Sequence, residues 1–396
     1  MASNCQIPTP QEYVIHMLDY IGYSKKLYGK RVLENSCGEG NILLEIVTRY
    51  IEDAKKEKYS LDDIKVGLNR DIVAYEVDKS CIKRCKKRLN KLVHSYGLKG
   101  IRWNIQNKDF LQESFTNIFD YVIGNPPYIT YHDMDDTQRD LLKRSFKTCK
   151  HGRSDYCYAF IEASIKVLAD DGKMVYLVPY SIMTNKFAGE LRRFILPYTT
   201  KIYDYRTIKI FPEALTSSVI IVCEKPKRQS YFTYHLVAEK RVLDIPKDRL
   251  GNKWIILGKQ NVNGIKFSEF FDVTNSVATL LNEAFILKEY EYRDHYYLVG
   301  EYKIEEALVR DAASTKSLNK KDKKDKIIFP YRVINGKKND YTIEEFRTEF
   351  PEAAAYLQQF AEKLEKRKAD KNALWFQYGR SQAVTRVLGE KLIIPM

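Results

Sequence analysis

Apolar runs of strand length alternate with helical apolar repeats from Arg31 to Cys223, and this alternation restricts the fold more than any other feature of the chain. A first strand is predicted at Arg31–Glu34, then a turn through Cys37-Gly38-Glu39-Gly40, then a helix carrying Ile42, Leu43, Ile46 and Val47 at helical spacing. Further strands are predicted at Ile72–Val77, Ile101–Ile105, Tyr121–Gly124, Met174–Val178, Lys201–Tyr205 and Val219–Cys223, with helices at Ser80–Leu92 and Asp155–Leu168. The charged stretch Glu52–Arg70 reads as an insertion in the first crossover. Ahead of the first strand, Thr9-Pro10-Gln11-Glu12 has the residue types of a helix start, with Thr9 as N-cap and proline at the first helical position. Such alternation implies an α/β fold, a mostly parallel sheet with helices on both faces and ligands above the carboxyl ends of its strands. Near Lys225 the pattern stops, and short Tyr- and Lys-rich segments follow to Met396. Two domains are expected, residues 1–240 and 241–396.

The residues at the predicted strand ends carry chemistry. Glu34-Asn35-Ser36-Cys37-Gly38-Glu39-Gly40 joins the first strand to the first helix, where glycines let a ligand approach the backbone and the helix offers free amides. Taken alone, a Gly-x-Gly turn is equally a tight turn. Glu76 ends the second strand, where a carboxylate can accept both hydroxyls of a ribose, and Asp78 suits the cap of the next helix. Asp109-Phe110 after the third strand offers an acceptor for an adenine amine and a ring to stack on it.

The most specific signal is Asp120-Tyr121-Val122-Ile123-Gly124-Asn125-Pro126-Pro127-Tyr128. Two prolines stop the strand and fix the backbone. An amine on an aromatic ring is a poor nucleophile because its lone pair is delocalised. Two acceptors, the Asn125 side-chain oxygen and the Pro126 carbonyl, can hold its protons and favour a tetrahedral nitrogen, while Tyr128 stacks on the ring.

In this order the motifs resemble the gamma class of adenine-N6 DNA methyltransferases of restriction-modification systems, the TaqI-type group. The resemblance covers residues 7–225 well and the remainder more loosely. It implies a Rossmann-like S-adenosylmethionine-dependent methyltransferase sheet followed by an α+β target-recognition domain. It further implies that Thr9, Glu34, Ser36, Gly38, Gly40, Glu76, Asp109 and Phe110 line the S-adenosylmethionine pocket. Asn125, Pro126 and Tyr128 are then the catalytic residues, with Tyr128 and Phe211 stacking on a flipped base. The chain departs from the family at Asn35-Ser36, where Pro-Ala is usual, and in the long interval between the glycines and Glu76.

Lys and Arg (66) exceed Asp and Glu (52), which suits a polyanion. Double-stranded DNA is the expected partner; a non-enzymatic DNA-binding module is the other class, though binding alone needs no strand ending in Asn-Pro-Pro-Tyr. RNA and protein-glutamine amino-methyltransferases share that motif and remain alternatives, as does cytosine amine methylation. The glutamine enzymes carry a small helical domain before the catalytic one, whereas the extra mass here follows it and is basic. The seven cysteines show no Cys-x-x-Cys pair and are expected to be reduced thiols; Cys81 and Cys85 lack a second pair to bind metal with them, and no metal is expected. No secretory signal or bilayer-length apolar run is seen, so a cytoplasmic protein away from membranes is expected. Basic clusters at Lys320–Lys326 and Lys363–Lys371 lie near the aromatics Tyr331, Trp375, Phe376 and Tyr378. An apolar strand at Lys391–Pro395 close to Met396 prompts the expectation that a second protein subunit completes the recognition domain.

Overall fold

The computed structural model describes residues 8–113, 118–211, 217–225, 229–256, 269–313 and 325–386. The chain divides into two compact units, Met1–Asn261 and Val262–Met396. In the first unit nine strands form one sheet: β1 (Val32–Glu34), β2 (Ile72–Tyr75), β3 (Asn104–Gln106), β4 (Phe119–Gly124), β5 (Leu168–Pro179), β6 (Thr199–Asp204), β7 (Ser218–Glu224), β8 (Tyr231–Leu236) and β9 (Arg241–Pro246). Their order is β3-β2-β1-β4-β5-β7-β6-β8-β9. Strands β1 to β5 pair in parallel, β7 runs antiparallel between β5 and β6, and β8–β9 is an antiparallel extension. The order reverses between β1 and β4, and a doubly wound sheet opens its ligand crevice at such a switch point.

Adjacent residues of the central strands go to opposite cores, as strand geometry requires. Val122, Met174 and Tyr176 join one apolar cluster, while Ile123, Val175 and Leu177 join the other. Helices α1 (Gln11–Tyr20), α2 (Asn41–Lys56), α3 (Leu61–Asp71) and α4 (Lys79–Ser95) cover the second cluster; α5 (Asp136–Ser145) and α6 (Tyr156–Val167) cover the first. Burial on both faces explains why Val219–Cys223 is a continuous apolar run and not an alternating one. The expected doubly covered α/β sheet is thus the observed one.

Three local expectations are corrected. The supposed insertion at 52–70 is helical: α2 runs on to Lys56, and α3 starts at a reciprocal cap between Ser60 and Asp63 and buries Ile64 and Leu68. Thr9 does not cap α1, whose N-cap is Pro10, because the Thr9 hydroxyl bonds to Asn125 instead. The sheet does not end near Lys225, since β8 buries Phe232 and Tyr234 at every second residue, a half-covered pattern unlike the earlier strands. With β8 and β9 included, the first unit extends to Asn261.

The second unit is α+β. It holds short antiparallel sheets, among them Glu291–Arg293, Tyr296–Val299 and Tyr302–Glu305, and helices at Ile343–Glu349, Pro351–Gln358 and Ala361–Lys366. Tyr331, Phe376 and Tyr378 are core residues here; Tyr378 donates to the Ile328 carbonyl and receives no role at the surface. Residues 320–324 of the first basic cluster and the terminal strand at 391–395 lie outside the described residues. Among the described residues no helix is long and apolar enough to cross a membrane.

Candidate active site

Strands β1 and β4 are neighbours, so the turns that follow them meet at the switch point. After β1, Gly38 and Gly40 take positive φ of 51° and 82°. Gly40 is the N-cap of α2, and a Cβ there would come within 2.5 Å of the Cys85 sulfur, so both conformation and space require glycine. The turn is tied to β2 through the Cys37 amide, which donates to the Tyr75 carbonyl at 3.0 Å. Glu76 completes the tie: its two carboxylate oxygens accept from the Gly38 and Asp78 amides, both at 2.9 Å. Asp78 caps α4 by accepting from the Ser80 and Cys81 amides.

Glu34, 2% exposed, receives the amide of Leu43 in the first turn of α2. Burial nevertheless holds its carboxyl well above the usual range, and the nearby Cys85 and Glu76 add to this. Its Oε2 is buried with no hydrogen-bond partner among the described residues. Asn35, the first departure from the family pattern, fits the core: its Nδ2 donates to Ser164 and its Oδ1 accepts from Tyr176. Ser36, the second, joins the two turns, donating to the Asn125 carbonyl at 3.2 Å.

At the end of β4, Asn125 is held from two sides. Its Nδ2 donates to the Thr9 hydroxyl at 3.2 Å, and its backbone carbonyl takes the Ser36 bond. The Oδ1 that remains is buried and has no donor among the described residues. Buried acceptors are nearly always satisfied, and an orphan costs about 1–3 kcal/mol, so this oxygen is free to accept from a donor that a ligand brings. No donor among the described residues reaches the Pro126 carbonyl either. Tyr128 anchors the turn to β5 by donating to the Leu177 carbonyl at 3.1 Å, and burial raises its hydroxyl well above the usual range.

Asp109 caps a short turn of helix and accepts from the Leu111 amide and the Tyr156 hydroxyl. Tyr156 also donates its amide to the Ile129 carbonyl, linking Asp109 to the chain just after Tyr128. Sequence offered no sign of Tyr156, because the pairing joins residues far apart in the chain. Phe110 is 3% exposed and packs edge-on against Tyr75, and Phe211 is 2% exposed in the other core. The fold therefore gathers Thr9, Glu34, Ser36, Gly38, Gly40, Glu76, Asn125, Pro126 and Tyr128 around adjoining strand ends. Phe110 and Phe211 are placed as core rings. Among the described residues no cluster of His, Cys, Asp or Glu suits a metal ion.

Residues 42–211 match the Eco57I restriction-modification methylase family. The chain is 28% identical over 236 residues to the type II methyltransferase M.XhoI of Xanthomonas vasicola, covering 56% of this chain and 42% of that protein. It is 23% identical over 335 residues to the type II restriction enzyme and methyltransferase RM.Eco57I of Escherichia coli, covering 70% of this chain and 32% of that one. The chain thus spans less than half the length of these curated relatives. In fold it is similar to the chain in a DrdV–DNA complex, with a TM-score of 0.53 at 14% identity over 72% of this chain and 36% of that one. The resemblance carried by the motif order is found again by direct comparison: the chain is similar to the methyltransferases of restriction-modification systems, with the Eco57I methylase match at residues 42–211.

Proposed function

We propose that this chain is a site-specific DNA methyltransferase of a restriction-modification system, acting in the cytoplasm on the N6 amine of an adenine flipped out of double-stranded DNA. One observation carries it: the buried, unpartnered Oδ1 of Asn125 at the end of β4, beside the glycine turn. An exocyclic amine brings the donors that this oxygen and the Pro126 carbonyl lack. Holding both protons favours a tetrahedral nitrogen with its lone pair free.

The residues present fit S-adenosylmethionine as methyl donor. Glu34 keeps a buried oxygen without a partner among the described residues, and Glu76 sits at the end of β2 against Gly38. When bound, S-adenosylmethionine supplies a methyl group that its sulfonium makes electrophilic. Thr9 and Ser36 hold Asn125 in place, Glu76 takes the ribose hydroxyls, and Asp109 takes the adenine amine. Phe110 reaches that adenine only if its ring is uncovered, and Tyr128 stacks on the target base. Phe211 joins the stack only if its ring is uncovered first.

Two expected outcomes follow from these roles. The Glu34 carboxyl is protonated well above the usual carboxylate range in the free protein, and a cationic donor beside it favours ionisation. Binding should therefore release a proton, with affinity rising as pH approaches the raised value and levelling off above it. Calorimetry in buffers of different ionisation heat reads this directly, and Glu34→Gln should abolish it. Tyr128→Phe keeps the ring and loses only the bond to Leu177, at about 0.5–1.5 kcal/mol. Tyr128→Ala also loses stacking worth roughly 1–3 kcal/mol and should transfer methyl groups more slowly than Tyr128→Phe. The function itself is tested by offering labelled S-adenosylmethionine with duplex DNA, RNA and protein together. Label is expected in duplex DNA; label confined to RNA or to protein glutamine would establish the alternative.

A further inference from the structure

Helix α4 has 17 residues, KSCIKRCKKRLNKLVHS, with seven Lys and Arg and no acid. Its apolar face, Ile82, Cys85, Leu89 and Val93, is buried. Two of its cations are used within the protein: Arg84 pairs with the Glu39 carboxylate, and Arg88 donates to the Glu39 carbonyl and Asn41. Lys79, Lys83, Lys87 and Lys91 recur every fourth residue on the exposed side. None of these four forms an ion pair among the described residues. Like charges four apart on a helix repel, so the stripe is unfavourable to the isolated fold.

The basic clusters of the second unit are different. There Lys326 pairs with Asp311, Lys363 with Glu283 and Lys366 with Glu362, and the Arg367 guanidinium donates to the carbonyls of Thr279, Trp375 and Gln377. Among the described residues of these clusters, Lys326, Lys363, Lys366 and Arg367 have partners within the protein, whereas Lys79, Lys83, Lys87 and Lys91 of α4 form no ion pair.

We propose that the exposed face of α4 is a docking surface for the phosphate backbone of duplex DNA, separate from the residues that hold the target base. The proposal rests on duplex DNA being the substrate. At 1.5 Å per residue the four lysines lie about 6 Å apart along the axis and span about 18 Å. A line of charge of that length complements an extended polyanion, whereas a small anion needs donors that converge. Lysine is a hydrated point charge on a flexible stem, suited to phosphate contact without base reading. The stripe therefore adds affinity and orientation common to every sequence.

The test uses the full chain and the variant Lys83→Gln/Lys87→Gln/Lys91→Gln. Glutamine is nearly as good a helix former as lysine, and an unchanged calorimetric affinity for S-adenosylmethionine verifies that the variant is folded. Fluorescence anisotropy with a duplex of arbitrary sequence is measured over a range of salt concentrations. Each lost phosphate contact lowers the slope of log affinity against log salt by about 0.9, so a fall of up to about 2.7 is expected. Binding at low salt should weaken at the same time. A variant with the wild-type slope overturns the proposal, including the case in which α4 docks an acidic protein. If the wild-type chain binds no duplex DNA at all, both this inference and the DNA substrate fall. If it methylates DNA and the variant's slope is unchanged, only the role of α4 falls.

Discussion

Asn125→Ala should lower the rate of methyl transfer by roughly 10²–10³-fold, the loss typical of removing one preorganised dipole from a reacting group. Affinity for S-adenosylmethionine should not change, because Asn125 faces the acceptor. Stability supplies a second, opposite signature. The substitution loses the bond from Nδ2 to Thr9, about 0.5–1.5 kcal/mol, but removes a buried oxygen without a partner, which costs about 1–3 kcal/mol. The variant should therefore melt at the wild-type temperature or slightly above it. A residue retained for packing would instead lower the melting temperature and leave the transfer rate near wild type.

Glu76→Ala should weaken S-adenosylmethionine binding by about 100-fold, near 3 kcal/mol. The carboxylate makes two bonds to backbone amides, Gly38 and Asp78, and hydrogen bonds to a charged group are worth roughly 1.5–3 kcal/mol each. Its loss removes the ribose acceptor and also loosens the glycine turn. Glu76→Gln should resemble the alanine variant, since one of its two ends is a donor and would face a backbone N–H. The fold should survive in both. An alanine variant with wild-type affinity by calorimetry would refute the placement of the donor at this strand end.

The sheet was legible in the sequence where strands are buried on both faces, because Val122–Ile123, Met174–Val178 and Val219–Cys223 read as unbroken apolar runs. It was illegible at β8, where Phe232 and Tyr234 are buried, Leu236 packs partly against the same core, and polar neighbours hide the period. Charge similarly obscured α3, whose Ile64 and Leu68 lie on one helical face among acids and lysines. At the site, the predicted strand ends located Glu76 and Asn125, while Glu34 was picked out by the resemblance. What connects them was not visible. Thr9 looked like a helix cap because its local sequence satisfies the rule, but a partner 116 residues away competes for its hydroxyl. Ser36 and Tyr156 likewise act through contacts that only the fold creates. Phe110 and Phe211 show the converse: motif position marks them for stacking, while the structure places both rings in the core.

The central claim is that Asn125 presents an acceptor to the N6 amine of adenine in DNA. Nucleoside mass spectrometry of duplex DNA incubated with methyl-labelled S-adenosylmethionine tests it most directly, with wild type and Asn125→Ala run in parallel. The account predicts label in N6-methyl-2′-deoxyadenosine from the wild-type chain and almost none from the variant. Label on the cytosine N4 amine, or equal labelling of adenine by both proteins, would contradict it.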